Sequence, residues 1–66
     1  MNIIINGVEK TYTSSVTLET LLIKLGYANK KVAIEVNEEI IPRSKLRNKL
    51  VVNGDRIEII NAVGGG

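Results

Sequence analysis

Short runs of apolar residues separated by turn-forming residues make up most of the chain, and the first of them predict a β-hairpin. Isoleucines at positions 3 to 5 lie within Asn2–Asn6, which has the composition of a strand. Asn6-Gly7 follows directly, and this dipeptide favours a tight hairpin turn because both residues tolerate a positive φ. Val8–Tyr12 is then the returning strand.

One segment has a helical period instead. Leucines at positions 18, 21, 22 and 25 have the i, i+3, i+4, i+7 spacing that places them on one face of an α-helix. Thr17 is a suitable N-cap before them, and Gly26 stands where a left-handed residue commonly ends a helix. The pattern predicts a helix over Leu18–Leu25 with one buried stripe.

The next apolar runs predict two more strands. Branched apolar residues occupy every second position of Val32–Val36, which is typical of a strand with one covered face. A turn is expected at Asn37–Glu39. Ile40 and Ile41 then form a very short strand, and Pro42 confines it to a sheet edge because proline cannot donate a hydrogen bond to a ladder.

The last third of the chain predicts an irregular segment followed by a strand. Arg43–Lys49 is basic and irregular, and Leu46 and Leu50 are its expected core residues. A second tight turn falls at residues 53 to 55, in which Asp55 accepts backbone hydrogen bonds. Arg56–Val63 is the last strand, because its apolar residues again alternate.

The predicted order of elements is two strands, one helix and two or more strands, which indicates the α+β class. A mixed sheet of four to five strands with one helix across one face, in ββαββ order, buries all the apolar stripes. This arrangement requires the first and last strands to pair in the middle of the sheet. A length of 66 residues suits one such domain.

Composition excludes several kinds of chemistry. The chain contains no cysteine and no histidine, so a disulfide, a thiolate nucleophile and a histidine base are excluded. Nine basic against seven acidic side chains give a net charge of +2, which is too small to indicate nucleic-acid binding. No apolar run approaches the length of a membrane span. We therefore expect a cytoplasmic protein with neither nucleic acid nor membrane as a partner.

The order of the elements, together with the C-terminal glycines, resembles the ubiquitin-like β-grasp superfamily. More specifically, the chain is similar to the ThiS family of sulfur carriers in thiamine biosynthesis. Leu46 departs from that family, whose members often carry an aromatic residue shortly after the Pro-Arg pair. The resemblance covers essentially the whole chain and is most specific in Val32–Asn37, Glu39–Arg43, Gly54–Ile60 and Val63–Gly66.

The resemblance implies that the terminal carboxylate of Gly66 is the reactive group. An ATP-dependent, E1-like (ThiF-like) adenylyltransferase would adenylate it, and sulfur from a donor such as a cysteine desulfurase would displace the adenylate. A ThiG-like thiazole synthase would consume the resulting thiocarboxylate. The protein would then be a carrier and co-substrate rather than an enzyme, with no cofactor of its own and ATP bound by its partner.

The glycine tail suits this role on physical grounds. Gly64, Gly65 and Gly66 lack a Cβ, so an extended tail can thread a narrow channel in a partner and present its carbonyl without side-chain clashes. We expect a β-grasp domain over residues 1–63 and a flexible tail over residues 64–66. Alternatively, the glycines are only a frayed end or an expression remnant.

An exposed apolar patch is expected beside the tail. If the isoleucines at positions 57 and 59 face the helix, Ile60 faces solvent, and Ile4 points outward in the same way. Central pairing of the first and last strands would place Ile4 and Ile60 side by side, with Ala62 and Ala33 nearby. Such a patch could dock the partner enzymes, although single exposed isoleucines are also common on small proteins.

Basic residues form the other candidate surface. Arg43 is the first choice among them for a partner contact, because it lies in a stretch that resembles the family. Steering toward an acidic groove is the functional interpretation, and a solvated face that maintains solubility is the alternative. The basic residues are Lys30, Lys31, Arg43, Lys45, Arg47 and Lys49.

Other functions share this fold or this tail. A sulfur carrier resembling the small subunit of molybdopterin synthase has the same fold and glycine tail but is usually longer. A ubiquitin-like protein modifier would be joined to lysines through Gly66. A β-grasp binding module would have an inert tail. The residues alone leave these alternatives open beside the thiamine carrier.

Overall fold

A computed structural model describes residues 1–61 of the chain. The order of two strands, one helix and further strands agrees with the prediction. The elements in chain order are β1 (Asn2–Ile5), β2 (Val8–Thr11), α1 (Leu18–Lys24), β3 (Val32–Val36), β4 (Glu39–Ile40), a short 3-10 helix (Arg43–Lys45) and β5 (Arg56–Asn61).

The five strands form one mixed sheet in the order β2-β1-β5-β3-β4. β1 and β5 run parallel, with Ile4 beside Arg56 and Ile5 beside Ile57. The other neighbouring pairs are antiparallel. The first and last strands therefore pair at the centre of the sheet, which confirms the predicted α+β arrangement.

The hairpin between β1 and β2 forms at the predicted dipeptide. Ile5 is paired with Val8, so the loop consists of Asn6 and Gly7 alone. Both residues have positive φ angles, 49° and 81°, as a two-residue turn that matches the right-handed twist of its strands requires. The turn sets the register of the hairpin and sends β2 to the outer edge of the sheet.

Helix α1 begins and ends close to the predicted residues. The hydroxyl of Thr17 accepts a hydrogen bond from the backbone N–H of Thr20 at 3.2 Å, which confirms the N-cap. The helix is one residue shorter than predicted, because Leu25 is its C-cap and Gly26 turns the chain with a φ of 89°. Among the described residues, no helix has the length and apolar character needed to cross a membrane.

One face of the sheet and one face of α1 form the hydrophobic core. Ile3 and Ile5 are buried while Ile4 between them is exposed, as the alternation of a strand requires. The same alternation confirms that Ile57 and Ile59 point inward. The buried apolar residues of the described chain are Ile3, Ile5, Leu18, Leu21, Leu22, Ile34, Val36, Val51, Ile57 and Ile59.

The prediction that Leu50 belongs to the core was wrong. Leu50 is 52% exposed, whereas Val51 beside it is only 1% exposed and belongs to the core. Leu50 bridges to Thr17, and the N–H of Val51 donates to the carbonyl of Val16 at 2.9 Å, so this segment is extended and its side chains alternate. Alternation turns Leu50 outward, while Leu46 packs against the core as expected.

The turn before β4 is shorter than predicted. Only Asn37 and Glu38 form it, both with positive φ, and Glu39 already pairs with Val36. The short strand is therefore Glu39–Ile40 rather than the predicted isoleucine pair. A 3-10 turn occupies the start of the segment predicted to be irregular. β5 is described as far as Asn61, so its predicted end lies outside the described residues.

Candidate functional site

The candidate site is the strand that leads to the glycine tail, together with the sheet surface around it. β5 is the central strand and is described as far as Asn61, five residues before Gly66. Ala62, Gly64, Gly65 and Gly66, which the sequence assigned to the patch and the tail, lie outside the described residues. Their roles stay predictions, and the site is built from the residues that precede them.

Asn6 secures β5 on the side of β1. Its backbone N–H donates to the carbonyl of Ile57 at 2.9 Å, and its side-chain Oδ1 accepts from the N–H of Ile59 at 2.7 Å. A residue of a parallel strand would make the same two bonds with its main chain. Asn6 therefore extends the ladder by one step beyond the last residue of β1.

Asn37 secures the start of β5 from the side of β3. Its N–H donates to the carbonyl of Arg56 at 2.8 Å, and its Oδ1 accepts from the N–H of Arg56 at 2.9 Å. Its Nδ2 donates to Oδ1 of Asp55 at 3.0 Å. The other oxygen of Asp55 accepts from the N–H of Val52 at 2.9 Å. Asp55, only 6% exposed, is thus the turn residue that was predicted and also joins two loops.

The exposed face of the sheet carries the predicted docking residues, but not side by side. Ile4 lies beside Arg56, so Ile60 is four residues farther along β5, about 13 Å away at the rise of a strand. The prediction that Ile4 and Ile60 are neighbours was wrong, because the register of the parallel pair places Ile4 at the start of β5. Ala33 does lie directly beside Ile60, as expected.

Between the two isoleucines, the exposed face is mainly acidic. Glu35 and Glu58 are direct neighbours across β3 and β5 and share one face of the sheet. With Glu38 and Arg56 they line a shallow depression. Ile4 and Ile40 are exposed apolar residues elsewhere on this face. Ile60 and Ala33 form the apolar pair nearest to the tail, which we call the tail-side patch.

Arg43 is placed away from the tail-side patch. It starts the 3-10 helix and lines a cavity of about 330 Å³ together with residues of α1 and of the following loop, among them Glu19, Ile23 and Lys30. The cavity is on the side of the sheet that α1 covers, whereas Ile60 is on the opposite face. Arg43 and the two isoleucines therefore do not lie on one surface. A contact between Arg43 and a partner stays a prediction.

Sequence reasoning missed the two asparagines that secure β5. Both lie in turns with positive φ, 49° for Asn6 and 52° for Asn37, and asparagine tolerates this conformation better than most residues. The Asn-Gly dipeptide signalled the first turn, but no local pattern signals that an asparagine side chain reaches a strand 53 residues away. Only the tertiary structure provides that contact.

A small mixed sheet with a parallel central pair, an N-terminal hairpin and one covering helix defines the ubiquitin-like β-grasp class. The structure is similar to the crystal structure of the thiamine biosynthesis protein ThiS from Geobacter metallireducens, with a TM-score of 0.87 and 32% identity over the full length of both chains. The sequence model of the ThiS family matches residues 3–66 of the chain. The chain belongs to the ThiS family.

Curated relatives include two thiazole synthases. The chain is 44% identical to a thiazole synthase of Paramagnetospirillum magneticum and 36% identical to one of Magnetococcus marinus, in both cases over all 66 residues. The chain spans only about a fifth of the length of these relatives, 20% in each case. Each relative is therefore a longer polypeptide that contains a segment resembling this chain.

Proposed function

We propose that this protein carries sulfur as a thiocarboxylate on Gly66 and delivers it to the forming thiazole ring of thiamine. The observation that carries the proposal is the extent of the family match, which runs from residue 3 to the terminal glycine itself. The match therefore includes the glycine tail as well as the folded body, and a carrier of this family acts through that tail.

The proposed chemistry has two steps at the terminal carboxylate, the first a substitution at phosphorus and the second a substitution at the acyl carbon. First, a carboxylate oxygen of Gly66 attacks the α-phosphorus of ATP, pyrophosphate leaves, and an acyl-adenylate forms. Second, a sulfur nucleophile attacks the acyl carbon, and AMP leaves with the electron pair of the broken C–O bond. Sulfide gives the thiocarboxylate directly. A persulfide of a cysteine desulfurase gives an acyl disulfide, and a thiol reductant then cleaves its S–S bond to release the thiocarboxylate. Adenylation is needed because a free carboxylate has no adequate leaving group.

The protein contributes a firmly held strand from which the tail starts, and its partners contribute the catalysis. The sequence has no histidine and no cysteine to act as a base or to hold the sulfur. β5, by contrast, is paired on both sides and further secured by Asn6 and Asn37. A tail that follows such a strand starts from a defined position, which reduces the number of orientations that a partner must select.

The proposed partners are a ThiF-like adenylyltransferase, which binds the ATP, a ThiG-like thiazole synthase, and a sulfur donor such as a cysteine desulfurase. Similarity to segments of two longer thiazole synthases supports the second partner, because a segment inside the same polypeptide is held next to the synthase. The same similarity favours the thiazole route over the molybdopterin route.

ATP–pyrophosphate exchange tests the first step of the proposal. Purified adenylyltransferase with the wild-type carrier should incorporate labelled pyrophosphate into ATP, since formation of the acyl-adenylate is reversible. A variant without Gly65 and Gly66 should give no exchange above the enzyme alone, and so should a variant with one alanine added after Gly66. Full exchange with the extended variant would contradict the assignment of the reactive carboxylate.

A further inference from the structure

The two edges of β5 are paired with neighbouring strands over different lengths. On the side of β3, pairing continues to Asn61, which lies opposite Val32. On the side of β1, main-chain pairing ends with Ile5 beside Ile57, and the side chain of Asn6 adds one bond at Ile59. The last part of the strand is therefore paired on one side only within the described residues.

The groups left open on this side follow from the alternation of the strand. Asn6 bonds the carbonyl of Ile57 and the N–H of Ile59, so main-chain groups of the odd-numbered residues of β5 point toward β1. The next two main-chain groups of β5 that point toward the β1 side are the carbonyl of Ile59 and the N–H of Asn61. No strand within residues 1–61 lies beside this pair, and Asn61 is exposed.

We propose that an extended segment of the thiazole synthase adds to the sheet at this open edge. One residue of that segment donates its N–H to the carbonyl of Ile59 and accepts from the N–H of Asn61, as Asn6 does one step earlier. The segment lies parallel to β5 along this edge. This inference rests on the proposed function, and it identifies the contact by which the synthase binds the strand that precedes the tail.

The composition of the tail favours main-chain recognition. Three of the five residues after Asn61 are glycines, which offer a partner no side chain to bind. Backbone hydrogen bonds are then the available means of setting which residue of the tail sits at the reaction centre, and adding a strand to a free edge is the common way to make them. The open edge begins that contact on the folded body.

Other free edges of the described sheet suit this role less well. β2 has an outer edge, but it is separated from β5 by β1, and it carries charged residues that discourage pairing with another chain. β4 has only two residues and is followed closely by Pro42. The edge at Ile59 and Asn61 is the one that continues directly into the tail.

A proline substitution removes the proposed donor without disturbing the sheet. In Asn61→Pro the lost N–H points away from β3, so no bond of the β3–β5 ladder is broken. The residue before the proline, Ile60, is already extended, as proline requires. Asn61→Ala is the matched control, since it removes the side chain and keeps the N–H. Thermal unfolding should show that both variants fold like the wild type.

Binding of the full-length chain to the purified thiazole synthase, measured by calorimetry, tests the proposal. Losing one hydrogen bond of this kind should raise the Kd of Asn61→Pro about tenfold, while Asn61→Ala stays within about twofold of the wild type. Equal affinities of the Pro and Ala variants would overturn the inference.

Amide hydrogen exchange provides a second readout. In the free protein the N–H of Asn61 should exchange rapidly, and in the complex it should be protected. Binding of the synthase without protection of Asn61 would overturn this inference but leave the proposed function intact. If the wild-type chain did not bind the synthase at all, the proposed partner and the inference would both be wrong.

Discussion

Two asparagines in left-handed turns determine where the tail-bearing strand lies. Asn6 and Asn37 approach β5 from opposite sides, and each uses both its backbone N–H and its side-chain oxygen as hydrogen-bond partners for that strand. A glycine would adopt the same positive φ more easily but would lose the side-chain bond. These positions therefore need a residue that tolerates the turn and also carries an acceptor oxygen.

Replacing Asn6 by glycine separates these two requirements. Asn6→Gly keeps the turn and removes the bond to the N–H of Ile59, so the free energy of unfolding should fall by about 1 kcal/mol. Exchange of the Ile59 amide should become faster. Urea unfolding and amide exchange measured by NMR check both effects.

Asn6→Asp is the matched control for that variant. Aspartate also tolerates the left-handed conformation and presents an oxygen at the same position, so slow exchange of the Ile59 amide should be retained. Exchange of the Ile59 amide as slow in Asn6→Gly as in the wild type would show that the side-chain bond is unimportant, and fast exchange in Asn6→Asp would show that an oxygen at this position is not sufficient.

Asp55 is the other residue whose contacts are not local. Asp55→Ala removes the acceptor for the N–H of Val52 and for the side chain of Asn37. The site is buried, so leaving both donors without a partner should lower the free energy of unfolding by about 1–3 kcal/mol. Chemical denaturation measures this loss, and a change close to zero would mean that water replaces the carboxylate.

Among the elements, the extended segment before β5 shows how burial depends on register. Val51 and Val52 are adjacent and identical in type, but Val51 is 1% exposed and Val52 is 49% exposed. Hydrogen bonds of this segment to the residues around the start of α1 hold it so that alternate side chains point inward. The segment closes the core near the N-terminus of the helix.

Two valine-to-alanine variants test this arrangement, because they make the same side-chain change at a buried and at an exposed position. Val51→Ala should lower the free energy of unfolding by about 2 kcal/mol, because it removes buried methyl groups and leaves a cavity. Val52→Ala should change it by less than about 0.5 kcal/mol. Urea denaturation of both variants makes the comparison, and similar losses from the two would contradict the register of the segment.

Elements with a strong local signal could be predicted from the sequence. The hairpin followed from Asn6-Gly7, and the helix from its leucines, its N-cap and Gly26. Features that depend on pairing between distant segments could not, because no local pattern specifies the register. The outward turn of Leu50 and the separation of Ile4 from Ile60 are of this second kind. The side-chain hydrogen bonds of Asn6 and Asn37 also depend on contacts between distant segments.

The whole molecule has two sides of different character. The exposed face of the sheet carries the tail-side patch and an acidic depression, while the side of α1 carries Arg43 and the cavity beside it. A partner that takes up the tail must lie close to the last described residues of β5. We therefore expect the sheet face, rather than the helix side, to form the contact with the partner enzymes.

A pair of isoleucine substitutions on opposite sides tests which face binds. Ile60 and Ile23 are about equally exposed, 49% and 56%, so serine at either position should have little effect on folding. Ile60→Ser should weaken binding to the adenylyltransferase or the thiazole synthase about tenfold, through loss of apolar contact area. Ile23→Ser should bind like the wild type. The reverse order of effects, measured by calorimetry, would place the interface on the helix.

The central claim, that Gly66 is the sulfur-carrying residue, is tested most directly by the mass of the C-terminal peptide. Protein isolated from cells that produce the adenylyltransferase and the sulfur donor should contain a fraction in which one oxygen of the terminal carboxylate is replaced by sulfur. The variant without Gly65 and Gly66 should lack this mass shift. An unmodified terminus under all conditions, or a covalent bond from Gly66 to lysines of other proteins, would contradict the account.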